Sequence, residues 1–289
     1  MRTIEGSDGV TLAVHEHGGL GRPTLLCHAT GFHGAVWEPL SGELGDGFEC
    51  WAPDLRGHGA SVGPPGHPLD WAGVARDVLS VVEALSVEPG RLLGVGHSMG
   101  AAALLLAEQA RPGTFAGLWL FEPVAPPTGA SQPGASQPGA AQPGAAGNHL
   151  AERALRRKPS FPTFADALIN FAGKPPLQVA RADALLAYVR HGFVEGEDGA
   201  VHLACRPEDE SRLYAGGGAH GAYERLSTVT CPTLVVCGGE PDGPSTFAPA
   251  VAAALPAGRL EVHPHLGHFG PLEAPTELAA SVRAFASAC

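Results

Sequence analysis

The run "LLGVGHSMGAAALLLAEQA" (92–110) constrains this chain more than any other stretch of it. A short apolar segment ends at Gly96-His97-Ser98-Met99-Gly100, and an Ala/Leu-rich helical pattern begins at once and runs to the breaker Pro112. A serine between two glycines at a strand-to-helix junction sits on a sharp turn, where only glycine allows the flanking backbone to approach so closely. The helix that follows directs its first N–H groups and its dipole back at that serine.

The surrounding pattern is one of alternation. Strand-like runs "TLAVHE", "TLLCHA", "FECWAP", "RLLGVGH" and "GLWLFEP" fall within the first 124 residues, several of them continuously apolar, as a sheet covered on both faces requires. Between them, "DWAGVARDVLSVVEALS" repeats its apolar residues at helical spacing. Strand and helix in turn predict an α/β fold with a mostly parallel central sheet.

The alternation stops at "ASQPGASQPGAAQPGAAG" (Ala130 to Gly147), a five-residue unit repeated three times, with neither charge nor large apolar groups. Such a composition buries too little surface to offset the entropy of ordering, and a flexible, exposed loop is expected. From about Asn148 to Arg225 the chain reads as short helices punctuated by Pro and Gly, with apolar faces carrying Phe161, Phe164, Leu168, Phe171, Leu185 and Tyr188. The α/β pattern resumes with "CPTLVVCGG", "RLEVHPH" and a closing helix "PTELAASVRAFASA". The expected organisation is one core, 1–124 with 226–289, interrupted by residues 125–225, a low-complexity loop plus a helical lid inserted after the sixth strand.

The formal charge of −11, without a basic run, argues against nucleic acid and anionic membrane as partners. The six cysteines are scattered without a CxxC, several within apolar runs, and are expected to be reduced and mostly buried. With neither a signal-like N-terminus nor a membrane-length apolar run, a cytoplasmic location is expected.

Taken in order, the motifs resemble those of the α/β-hydrolase superfamily. Beside the serine turn, "LLCHATGFHGAVWEPL" (Leu25 to Leu40) is similar to the family's oxyanion loop, and "APDLRGHGAS" (Ala52 to Ser61) to its next strand-end turn. "HLGHFGPLEAP" (His265 to Pro275) resembles its terminal histidine loop. The resemblance implies a serine hydrolase, of carboxylesterase or lactonase type, acting through an acyl-enzyme on an ester, thioester or lactone of small to medium apolar character, with no metal or organic cofactor. Ser98 is the implied nucleophile and His268 its base.

Asp242, in "GGEPDGPS" after the penultimate strand, is the expected acid, and Glu122, ending "GLWLFEPV", is the alternative, otherwise a carboxylate capping the turn before Pro123. The oxyanion hole combines the Met99 N–H with one from the loop, either Thr30 or Phe32. That loop departs from the usual pattern: Ala29 stands where glycine is frequent, and it is longer by about two residues. His28 and His97 are expected to support the two loops, and Asp54, Arg56 and His58 to hold a turn. "HPHLGH" also invites a metal site, which the absence of an accompanying carboxylate motif disfavours. Acyl transfer, cyclisation and carbon–carbon hydrolysis share the same triad, and a silent ligand-binding protein is the alternative from another class.

Overall fold

The computed structural model describes residues 1–127, 148–241 and 243–289. The repeat (130–147) and Asp242 lie outside the described residues.

Eight strands form one sheet: β1 (Arg2–Glu5), β2 (Thr11–Glu16), β3 (Arg22–Cys27), β4 (Phe48–Pro53), β5 (Leu92–His97), β6 (Phe115–Phe121), β10 (Thr233–Gly238) and β11 (Gly258–His263), ordered β1-β2-β4-β3-β5-β6-β10-β11. β1 and β2 run antiparallel at one edge, and all pairings from β4 to β11 are parallel. The helices that return the chain between parallel strands are α1 (Glu38–Leu44), α2 (Trp71–Leu85), α3 (Met99–Ala110) and α8 (Ala248–Ala254), and α9 (Gly270–Glu273) and α10 (Pro275–Ala286) follow the last strand.

The uniformly apolar strands conceal a strict period of two. Leu118 and Leu120 of β6, with Val235 and Cys237 of β10, pack into the layer under α2, α3 and α8. Trp119 and Phe121, with Leu234 and Val236, pack into the opposite layer under α1 and α10. Helix α2 starts where the Asp70 carboxylate accepts the Gly73 N–H at 2.6 Å, and it stops where Ser86 turns left-handed at φ 54°.

Between β6 and β10 lie α4 (His149–Leu155), α5 (Phe164–Ala172), α6 (Ala182–Gly192) and α7 (Pro207–Gly216), short helices of the kind the sequence suggested. They are joined by a small antiparallel sheet that it did not suggest, β7 (Ser160–Phe161), β8 (Phe193–Glu195) and β9 (Val201–Leu203), ordered β7-β9-β8. Strands of two or three residues are too short for their periodicity to register. One charged knot ties this inserted segment together: the Arg157 guanidinium pairs with Glu210 of α7 and donates to the Tyr188 hydroxyl of α6 at 2.5 Å.

All six cysteines are free thiols, five buried and Cys289 exposed. Among the described residues no helix is long and apolar enough to cross a membrane.

Candidate active site

Three polypeptide turns meet at the carboxyl ends of the parallel strands, where open α/β sheets place their ligands. The first follows β5. Ser98 sits between strand and α3 at φ 55°, ψ −112°, a conformation that costs a non-glycine residue on the order of 1–3 kcal/mol. The flanking glycines are required sterically: a Cβ on Gly96 would lie 2.6 Å from Cα of Ala101, and one on Gly100 2.2 Å from the Cys27 carbonyl oxygen. Ser98 itself is only 7% exposed, and its N–H donates to the Phe121 carbonyl at 2.9 Å.

That bond leads directly to the second turn. Glu122 follows β6 at φ 45°, with its carboxylate 1% exposed. Its Oε1 accepts the Gly238 N–H at 2.9 Å and its Oε2 lies 2.5 Å from Nδ1 of His268. A carboxylate is an acceptor, so Nδ1 carries the proton and Nε2 is left as the free base of the imidazole. The turn-capping role expected of Glu122 thus gives way to a buried contact across the sheet. Asp242, the acid that the sequence favoured, lies outside the described residues, so the carboxylate observed on His268 is the alternative one.

The third turn follows β11 and carries His268. Its N–H is accepted by Oε2 of Glu240 at 3.3 Å, the Gly267 N–H is accepted by Glu273 at 3.2 Å, and its carbonyl accepts Nε2–H of His97 at 2.8 Å. Neither Glu240 nor Glu273 was singled out for this loop-holding role, because carboxylates that bind backbone N–H groups carry no sequence signature beyond their turn setting. Burial pushes the His97 imidazole well below its usual range and keeps it neutral. His263 and His265, the other members of "HPHLGH", turn instead to Glu277, at 2.5 and 3.0 Å.

The oxyanion-loop region is held by a network of neutral histidines. His28 accepts the Leu55 N–H at Nε2 (2.9 Å), and His58 accepts the Gly31 N–H at Nε2 (2.9 Å), so in each ring the proton sits on Nδ1. Asp54 accepts from Gly34 N–H, Ala60 N–H and His15 at 2.7, 2.8 and 2.9 Å. Burial alone would push its carboxyl up, but the His15 hydrogen bond, the neighbouring histidines and the Ala60 N–H outweigh it and bring it down to about 2. Arg56, fully buried, is clasped by Asp77 at 2.7 and 2.8 Å.

The two candidate second donors differ in this loop. The Phe32 N–H is committed to the Ala29 carbonyl at 3.2 Å, whereas the Thr30 N–H has no hydrogen-bond partner among the described residues. The Met99 N–H opens α3, where the first helical N–H groups have no partner within the helix.

The inserted segment reaches this loop through aromatic rings: Phe32 lies 5.3 Å from Tyr188 and 5.8 Å from Phe269, and Tyr188 lies 5.4 Å from Phe171. Phe161, Leu185 and Tyr188 are buried, while Phe164, Leu168 and Phe171 are partly so. Phe164 and Leu168 also line an open apolar groove of about 290 Å³ with Leu186 and Val189, whose lining includes neither Ser98 nor His268.

The buried histidines make stability pH-dependent. His33 and His58 are brought down to about 4 by burial, and His28 and His97 fall well below 6.5 for the same reason. Above pH 6.5 they are neutral in both states; as pH falls toward 4 the unfolded chain gains protons that the folded chain refuses. Each such group then costs about 1.4 kcal/mol per pH unit. The melting temperature is therefore expected to drop steeply from pH 7 to pH 5, and a flat profile in circular-dichroism melts would contradict it.

The fold and these three turns define a hydrolase-like α/β protein, and the chain belongs to the alpha/beta hydrolase family, whose model matches residues 24–281. It is 37% identical over 103 residues to human monoglyceride lipase, covering 35% of this chain and 34% of that protein. It is 38% identical over 93 residues to 2-(acetamidomethylene)succinate hydrolase of Mesorhizobium japonicum, 32% of each chain. These matches thus span about a third of the length of those curated relatives. Among solved structures it is similar to an E-2-(acetamidomethylene)succinate hydrolase, with a TM-score of 0.79, 22% identity and coverage of 99% of this chain and 98% of that one. It is likewise similar to a thermophilic esterase from Thermogutta terrifontis, with a TM-score of 0.71, 22% identity and coverage of 99% and 97%. At such identities the structural likeness concerns the fold.

Proposed function

We propose that this protein is a serine hydrolase that cleaves a carboxylic ester, thioester or lactone of a small to medium, largely apolar substrate, with Ser98, His268 and Glu122 as its triad. The observation that supports it is the buried Glu122 carboxylate 2.5 Å from Nδ1 of His268, one residue beyond the strand bonded to the strained Ser98 turn.

In the proposed reaction Nε2 of His268 takes the Ser98 hydroxyl proton as Oγ attacks the carbonyl carbon. Glu122 holds the ring in the required tautomer and stabilises the imidazolium that forms. The tetrahedral oxyanion accepts hydrogen bonds from the Met99 N–H and from Thr30, chosen over Phe32 because the Phe32 N–H is already engaged. His268 then protonates the leaving group, activates water and receives its proton, so that the acyl-enzyme is released as acid. No metal or organic cofactor enters these steps. The inserted segment acts as the lid, and the Phe32, Tyr188 and Phe269 rings form an apolar wall beside the oxyanion loop.

A second reading comes from the relation to 2-(acetamidomethylene)succinate hydrolase: the acyl group is attached to nitrogen rather than oxygen or sulfur. The same triad serves both, because only the leaving group differs.

Reaction of the folded protein with a fluorophosphonate is expected to place one adduct, on Ser98, as read by peptide mass spectrometry. A screen of p-nitrophenyl esters, lactones, acyl thioesters and N-acyl compounds then separates the two readings by leaving group. Absence of an adduct would remove the serine-hydrolase reading, and turnover restricted to highly charged esters would remove the apolar substrate.

A further inference from the structure

We propose that Arg157 is a positioning residue for the oxyanion loop: through Glu210 and Tyr188 it fixes residues 31–33, and with them the adjoining Thr30 N–H. The inference rests on the serine-hydrolase reading above and adds to it a residue outside the triad.

Arg157 lies two residues beyond α4 and holds two acceptors from other helices of the inserted segment. Its Nη1 pairs with Oε2 of Glu210 in the first turn of α7, and its Nη2 donates to the Tyr188 hydroxyl of α6 at 2.5 Å. Both acceptors are buried. A planar guanidinium serves the two at once in a fixed fork, which the single ammonium of a lysine on its flexible stem does not. A buried ion pair adds little net stability, because desolvation offsets its attraction.

Both acceptors bear on the loop. Gly31 turns at φ 82°, and a Cβ there would lie 2.5 Å from Oε1 of Glu210 and 3.3 Å from Nη1 of Arg157. The Glu210 carboxylate thus fills the space of the missing side chain, with one oxygen on the arginine and the other against the loop backbone. The Phe32 ring lies 5.3 Å from the Tyr188 ring, and the His33 ring stacks on it at 5.9 Å and 15°. Nε2–H of His33 also donates to the Tyr188 carbonyl at 3.0 Å. From the core, His58 accepts the Gly31 N–H at 2.9 Å, so the loop is held between the core and the inserted segment. An oxyanion donor acts by being in place before charge develops, and a displacement of about 1 Å can cost about 10²-fold in rate.

The test is the rate at which a fluorophosphonate labels Ser98 in the full chain, since its phosphoryl oxygen enters the same oxyanion hole, read beside the melting temperature. Arg157→Met and Glu210→Gln are each expected to lower the rate constant at saturating reagent by roughly 10- to 100-fold. The reagent concentration at half-saturation should change little. Each variant also melts lower, because it leaves one buried charge without its partner. Combining the two removes both charges, and the melting temperature is expected to return toward wild type while labelling stays slow. A purely structural pair gives a different pattern: a smaller labelled fraction at the wild-type rate constant, or recovery of rate together with stability in the double variant. Either result overturns the positioning role, and labelling of the wild type shows that the serine-hydrolase reading survives it. A wild type that does not label removes both.

Discussion

Replacing Glu122 with glutamine is expected to lower kcat by roughly 10⁴-fold with little change in KM, while Asp242→Asn leaves both near wild type. The glutamine amide fits the same space but can present an N–H to Nδ1 of His268. The imidazole then carries its proton on Nε2, facing Ser98, and the base is lost although the geometry persists. Because Glu122 is 1% exposed and also accepts the Gly238 N–H at 2.9 Å, water offers no substitute for the missing charge. Steady-state kinetics of the two variants decide the assignment. Greater damage from Asp242→Asn would overturn the triad proposed above and return the acid to the turn after β10.

Ser98→Ala is expected to cost on the order of 10⁶ in kcat and to abolish phosphonate labelling, because triad members act as a unit and the loss of one removes nearly all their joint effect. The fold should survive. Alanine at φ 55° inherits the strain that serine carries, so the melting temperature stays close to wild type. Glycine at the same position relieves it, and Ser98→Gly should be more stable than Ser98→Ala by about 1 kcal/mol while equally inactive. An active Ser98→Ala protein, measured against a mock purification, would place the chemistry elsewhere. A Gly variant no more stable than the Ala variant would mean that the turn is not strained.

The residues that were legible share a property: their signal is local. β2 and β4 fall on the quoted runs "TLAVHE" and "FECWAP", and α2 lies within one residue of its quoted run at either end, since continuous apolar strands and a capped amphipathic helix declare themselves within a few residues. Ser98 was marked by two glycines, and those glycines are needed because the turn packs against Ala101 and the Cys27 carbonyl. β1 and the three strands of the small sheet were not legible. They are four residues or fewer, too short for a periodic pattern to register.

The site divides along the same line. Glu122 reads in sequence as a carboxylate before a proline, suited to capping a turn, and nothing within ten residues of it points to His268. The contact spans 146 positions and exists because β10 lies between β6 and β11, aiming the turn after β6 and the loop after β11 at one another. The proposed preference for Thr30 over Phe32 likewise rests on a bond seen only in the folded loop, the Phe32 N–H donated to the Ala29 carbonyl.

By itself, then, the sequence determined the α/β alternation of the core, the serine turn and the loop that follows the last strand, because each rests on periodicity or on a steric demand confined to a few neighbouring residues. Only the tertiary structure decided which carboxylate meets His268 and which strand is left at the edge among the described residues. Each of those is a consequence of strand order, which brings distant residues within hydrogen-bonding reach and leaves no local trace.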